Sequence, residues 1–206
     1  MRYQQLKEQL GDFTVFSLAD IRKVAPEFYL HQLVDWQKNG YIKKLRRGYY
    51  MFSDITLNEE TLFLIANRLY APSYVSFEMA LSHYGLIPEG VYSVTSAAGK
   101  KTASFKTPIA QFSYRKIKPG LLFGYQLEKH KGQKYKIAEI EKAVLDYLYL
   151  NPKIIERADF YEWRFNSREF LEKASLTKLR QYAVAFKNKT FLVRLEELIE
   201  LIKQAK

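Results

Sequence analysis

Two clusters of side chains in this sequence have types and spacing suited to recognition chemistry. The first is His31, Gln32, Asp35 and Lys38, followed at once by Lys43, Lys44, Arg46 and Arg47. Amide, imidazole and carboxylate edges at helical spacing can hydrogen-bond base edges in a major groove, while closely spaced lysines and arginines reach phosphates or a narrow minor groove. The second cluster, Lys100, Lys101, Lys106, Arg115, Lys116 and Lys118, is spread over alternating segments and suits a second nucleic-acid surface. A solvated sheet surface with edge-protecting lysines is the other reading of that region. A third group, Glu139, Glu141, Lys142 and Asp146, has the composition of a metal-dependent nuclease site. On a helix, however, Glu139, Lys142 and Asp146 fall at i, i+3 and i+7, the spacing of ordinary surface ion pairs. His31, His83 and His130 form no HxxxH pair, and no GxxxxGK[ST] loop is present. No catalytic residue, metal ligand or cofactor is expected.

The elements that must hold the first cluster are legible around it. Ser17 can cap a short helix from Leu18 to Val24, which Ala25-Pro26 breaks. A second helix is predicted over Glu27 to Lys38, stopped by Asn39-Gly40, with Tyr29, Leu30, Leu33 and Trp36 as its inward stripe. The runs YIKKL and YYMF, separated by Arg46-Arg47-Gly48, read as a β-hairpin with glycine where φ is positive. A helix over Tyr3 to Leu10 and an extended link over Asp12 to Phe16 precede them. This order is that of a winged helix-turn-helix, which points to duplex DNA. The plainer alternative is a small helical module whose solvated basic turn makes protein contacts.

Beyond a boundary near residue 54, Asn58 can cap a helix from Glu59 to Tyr70, Pro72-Ser73 interrupts, and Ser76 starts a helix to about Tyr84. From Val91 the period becomes two, and strands over about 91–138 are expected to form an antiparallel sheet. Residues 139–206 read as helices. The predicted fold is therefore α+β. A winged helix-turn-helix at 1–54 precedes a mixed α/β domain at 55–206 with a helical C-terminal end.

The totals bound the partners. With 206 residues and 48% hydrophobic content the chain can bury substantial cores, and its net charge of +11 favours a polyanion. That charge is uneven: residues 1–54 carry +3, 55–97 carry −3, 98–136 carry +9 and 137–206 carry +2. With no cysteine, disulfides and thiolate metal sites are excluded. No signal-peptide core or run of 18 apolar residues occurs, so a soluble, cytoplasmic protein without membrane association is expected.

Three blocks, NGYIKKLRRGYYMF, APSYVSFEMALSHYGLIPEGVYSVTS and KIAEIEKAVLDYLYLNP, together resemble the AbiEi-type antitoxins of type IV toxin–antitoxin systems, which are associated with abortive phage infection. The resemblance runs from about Ser17 to Pro152. It implies an N-terminal winged helix that represses its own operon by binding inverted promoter repeats. It also implies a C-terminal antitoxin-type domain that neutralises a nucleotidyltransferase-like toxin without a stable complex. Lys43, Lys44, Arg46, Arg47 and the outward positions of the second helix would then contact DNA. The protein would be a monomer or weak dimer that pairs on DNA. A stand-alone winged-helix regulator whose C-terminal domain senses a ligand or protein is the alternative.

Overall fold

In a computed structural model, which describes residues 1–204, the chain is α+β with two sheets. The first part contains α1 (Tyr3–Leu10), β1 (Phe16–Ser17), α2 (Leu18–Val24), α3 (His31–Lys38), β2 (Ile42–Arg46) and β3 (Tyr49–Phe52). Its three strands form an antiparallel sheet in the order β1-β3-β2. Ser17 caps α2 as its residue type predicts: its hydroxyl accepts from Asp20 N, and Asp20 reaches back to the Ser17 amide. Gly48 closes the hairpin at φ +80°, a conformation that a side chain would strain.

This small sheet is covered on both faces. Ile42, Tyr50 and Phe52 pack with Leu6, Ile21 and Trp36 in a compact N-terminal core. Val15, Leu45 and Met51 instead join the large core of the rest of the chain. Alternation along β2 and β3 makes both contacts possible, because successive side chains point to opposite faces.

The second part begins with α4 (Glu59–Leu69), capped by Asn58, whose side chain accepts from Thr61 N. It continues through β4 (Ser73–Val75), α5 (Phe77–His83), β5 (Ser93–Ala98), β6 (Ala103–Lys106), β7 (Gln111–Lys116), β8 (Tyr125–His130) and β9 (Gln133–Ala138). The helices α6 (Ile140–Leu150), α7 (Arg157–Glu162), α8 (Ser167–Lys173), α9 (Leu176–Ala183) and α10 (Lys189–Gln204) complete it. The six strands form one sheet in the order β6-β7-β5-β4-β9-β8.

That sheet is mixed, which corrects the antiparallel expectation: β5 runs parallel to β7, and β4 parallel to β9. The stretch read as an interruption at Pro72-Ser73 opens a central strand, β4. Residues 121–124, inside the expected strand run, instead end a short 3-10 turn (Pro119–Leu121) and form a loop before β8. Register assigns the faces. Tyr74 pairs with Ala97 and Tyr114 with Ser96, so the two tyrosines point to opposite sides. Tyr114 donates to Ala66 O of α4, and Tyr74 donates to Asp146 of α6, so these helices cover opposite faces.

At the contact with α6 lies a buried polar network. Lys142 and Asp146, read from sequence as surface ion-pairing residues, are both fully buried and paired with each other. Lys142 Nζ also donates to Tyr74 Oη (2.8 Å), and Tyr74 and Ser76 donate to Asp146 Oδ2 at 2.8 and 2.9 Å. The ammonium sits over the rings of Tyr74, Phe123 and Phe186. Burial lowers the Lys142 pKa and raises that of Asp146, so each depends on the other to hold its charge. Gly124 stands against this lysine at φ +67°, and a Cβ there would meet Lys142 Cβ at 3.1 Å and Tyr182 at 2.9 Å. Gly124→Ala should therefore lower stability by about 2 kcal/mol, read by denaturant unfolding.

The C-terminal helices close the core. Phe191, Leu195, Leu198, Ile199 and Ile202 form the buried stripe of α10. Between them Arg194 reaches the end of α6, donating to the carbonyls of Leu148, Asn151 and Ile154 at 3.1, 2.8 and 3.1 Å. A guanidinium there satisfies acceptors that the helix itself leaves unpaired.

Candidate nucleic-acid interface

The helix α3 begins at His31, four residues later than predicted, because a turn at Pro26-Glu27 and irregular backbone at residues 28–29 separate it from α2. This resets its inward face. Phe28, Leu33 and Trp36 are buried, whereas Tyr29 and Leu30, expected inside, are 66% and 52% exposed. Trp36 is held by Phe28 and by an edge contact from Tyr3 at 5.9 Å, which fixes the rotation of α3 about its axis.

With α3 so rotated, His31, Val34, Asp35 and Lys38 lie exposed. Gln32 does not join them: it is half-buried, and its Nε2 donates to Met1 O at 2.8 Å. Its outward, base-reading role therefore does not fit its position. Arg22 and Lys23, in the last turn of α2, are also exposed and extend the basic surface. Their signal in the sequence was two cations just ahead of the Ala25-Pro26 break.

The hairpin divides its four cations. Lys44 and Arg47 are exposed, and Lys43 is half-buried. A β-bulge between Lys44 and Arg46 interrupts the pairing with β3, and bulges redirect side chains. Arg46 turns inward. Its Nη1 donates to Leu69 O at 2.7 Å, and its guanidinium lies 5.1 Å from the Tyr49 ring centroid and 4.6 Å from that of Phe105. Arg46 is thus a clamp between the hairpin and the second part, not an exposed phosphate ligand.

A second clamp lies beside it. Arg68 Nη2 donates to Asp20 Oδ2 at 2.9 Å, and the same oxygen accepts from the Ser17 amide and hydroxyl. Burial acts to raise the Asp20 pKa, and these hydrogen bonds outweigh it and hold the carboxyl below its ordinary value. A depressed folded pKa stabilises above the unfolded value near 3.9 and is lost as pH falls through the lower folded one. Asp20→Asn should therefore cost about 1 kcal/mol at pH 7, and urea titrations of variant and parent should converge below about pH 4.

The second basic cluster does not form one face. Lys100, Lys101, Lys106, Lys116 and Lys118 are exposed at the β6–β7 edge and its connections, while Lys129, Lys131 and Lys134 are exposed on the β8–β9 hairpin at the opposite edge. Edge lysines of this kind discourage strand addition. Arg115 is withdrawn from the row, paired with Glu78 at 2.8 Å and lying 5.0 Å from the Phe77 ring centroid. Because Arg46 spans from the hairpin to Phe105, the β6 edge adjoins the hairpin tip.

Among the described residues, no group of three His, Asp or Glu side chains could hold a metal ion, and no helix is long and apolar enough to cross a membrane. The chain matches no protein-family model, and no curated protein matches it in sequence.

Proposed function

We propose that residues 1–54 act as a winged helix-turn-helix that reads duplex DNA, and that the protein represses its own promoter by occupying an inverted repeat. The observation that carries this reading is the setting of α3. Leu33 and Trp36 anchor one side, and His31, Val34, Asp35 and Lys38 stand exposed on the other, next to a hairpin presenting Lys44 and Arg47. His31, Asp35 and Lys38 offer hydrogen-bonding groups to base edges, and the exposed Tyr29, Leu30 and Val34 suit thymine methyl groups. Lys44, Arg47, Arg22 and Lys23 supply phosphate contacts that fix the docking. One module of this size gives a small interface. A second copy on the other half-site supplies the remaining affinity, so the monomer or weak dimer pairs on DNA.

The resemblance to AbiEi-type antitoxins extends the reading. The second part is then the region that neutralises a nucleotidyltransferase-like toxin without a stable complex, in the cytoplasm. The exposed lysines at the β6 edge, next to the hairpin, add phosphate contacts along the same DNA.

The test is binding of the purified protein to its own upstream DNA and to a scrambled duplex of equal length, at two salt concentrations. Preferential binding with a footprint over paired repeats is expected. Equal, salt-sensitive binding to both duplexes would overturn sequence-specific repression. Co-expression with the neighbouring gene tests the antitoxin role, with rescue of growth as the expected result.

A further inference from the structure

A cleft of about 390 Å³ opens where the first part of the chain meets the second. One wall is the link ahead of β1, from Phe13 to Val15, and the others come from α4, the start of β4 and the β8–β9 hairpin. Two large apolar side chains that line it are left in water, one on each part: Phe13 is 42% exposed and Leu127 56%. Covering such surface is favourable, so both favour an occupant with an apolar body.

The charge around the cleft is of one sign. Arg68, Lys134 and Lys136 line it, and no Asp or Glu does. Neither lysine forms an ion pair among the described residues, and Lys136 instead lies 4.9 Å from the Tyr125 ring centroid. Arg68 uses only Nη2, on Asp20, which leaves its other guanidinium nitrogens without a partner. Ser73, also in the lining, is 5% exposed, and its hydroxyl makes no hydrogen bond. A hydroxyl can donate to an anion, and one left unpaired in the interior is costly. A cation would meet three like charges here, and a neutral apolar molecule would strip water from them without replacing it. A duplex backbone brings phosphates but no apolar body to cover Phe13 and Leu127. An anion on an apolar body answers both needs, because hydrogen bonds between guanidinium or ammonium and an anionic oxygen are among the strongest available.

We infer that this cleft binds a small organic anion, a carboxylate or phosphate carried on an aromatic or aliphatic body. The head group pairs with Lys134, Lys136 and the Arg68 nitrogens that Asp20 does not use, while the body packs on Phe13 and Leu127. Gln133 fixes the link beforehand, its Nε2 donating to Asp12 O at 2.7 Å and to Thr14 Oγ1 at 2.9 Å, so little ordering opposes binding. The occupant touches both parts of the chain and so strengthens the joint that Arg46 and Arg68 clamp. No residue of α3 lines the cleft, and the inference does not depend on the DNA-binding reading.

The probes are 2-naphthoate, 2-naphthyl phosphate and the neutral 2-naphthamide, each titrated calorimetrically into the purified protein. Saturable one-to-one binding of at least one anion, with a rise in Tm and no binding of the amide, is expected. Tighter binding of the naphthoate assigns the head group to a carboxylate, and of the naphthyl phosphate to a phosphate. Lys134→Glu should weaken binding about tenfold and Phe13→Ala about fivefold, whereas Lys106→Glu, on edge strand β6 and outside the cleft, should leave it unchanged. All three positions are exposed, so the variants should fold. No saturation by either anion up to about 10 mM would overturn the inference. So would equal binding of 2-naphthamide, full affinity in either cleft variant, or an equal loss in Lys106→Glu, which marks diffuse attraction to a basic surface.

Discussion

Asp146→Ala is expected to destabilise the fold by about 3–5 kcal/mol, because it leaves the Lys142 ammonium buried without its counter-charge. For a chain of this size that corresponds to a fall in Tm of roughly 10 °C, since each kcal/mol shifts it by about 2–4 °C. The direction of the remedy separates two accounts of the network. If its role is only to satisfy charges already buried, Lys142→Met with Asp146→Leu should recover most of the loss, since packing replaces an ion pair of similar volume. Tyr74 and Ser76 would then lose their acceptor and keep some of the deficit. A double variant no more stable than Asp146→Ala would mean that the polar network itself specifies how β4 meets α6. Thermal unfolding of the two variants beside the parent decides between these accounts.

Lys44→Ala combined with Arg47→Ala should weaken binding to every duplex and flatten its salt dependence. With about six phosphate contacts per protein, log K falls against log salt with a slope near −5, and removing two contacts should reduce that slope by about 2. Arg46→Ala separates structure from contact. It should lower stability, through the lost Leu69 carbonyl bond and the Phe105 stacking, and leave the salt slope unchanged. His31→Ala should instead change preference at one base position by about 1–3 kcal/mol. An unchanged slope in the Lys44/Arg47 variant would remove the hairpin from the interface.

Much of the local structure was legible because its signals are local. Ser17, Asn58 and Gly48 are residue types whose side chain or freedom at positive φ decides a cap or a turn within four positions, and each does so in the structure. What was not legible depended on partners distant in sequence. The sheet is mixed because β7 lies between edge strand β6 and β5, antiparallel to the first and parallel to the second, and the small residues Ser96, Ala97 and Ala98 let β5 be buried on both faces. Arg46 and Arg47 are adjacent and chemically alike, and only the bulge and the nearby Leu69 carbonyl distinguish clamp from exposed cation. Likewise i, i+4 spacing places Lys142 beside Asp146 without saying whether that side of the helix meets water. Tyr74 and Ser76, some 70 positions away in the chain, decide that it does not. A cavity on the α5–α6 face, lined by Glu78, Glu89, Glu162, Tyr92, Tyr147 and Trp163, had no sequence signal, since these acids and aromatics come from four separate segments.

The small sheet gives Leu45 and Met51, with Val15 just ahead of β1, to the larger core and Ile42, Tyr50 and Phe52 to its own helices. Cutting the chain after residue 54 would therefore strip one side of that sheet and leave a sticky apolar wall, so the first 54 residues cannot be moved as a cassette onto another protein. Any event that loosens α4 is felt in the hairpin and at the start of α2 through Arg46 and Arg68, which makes the N-terminal part mechanically continuous with the body that carries it.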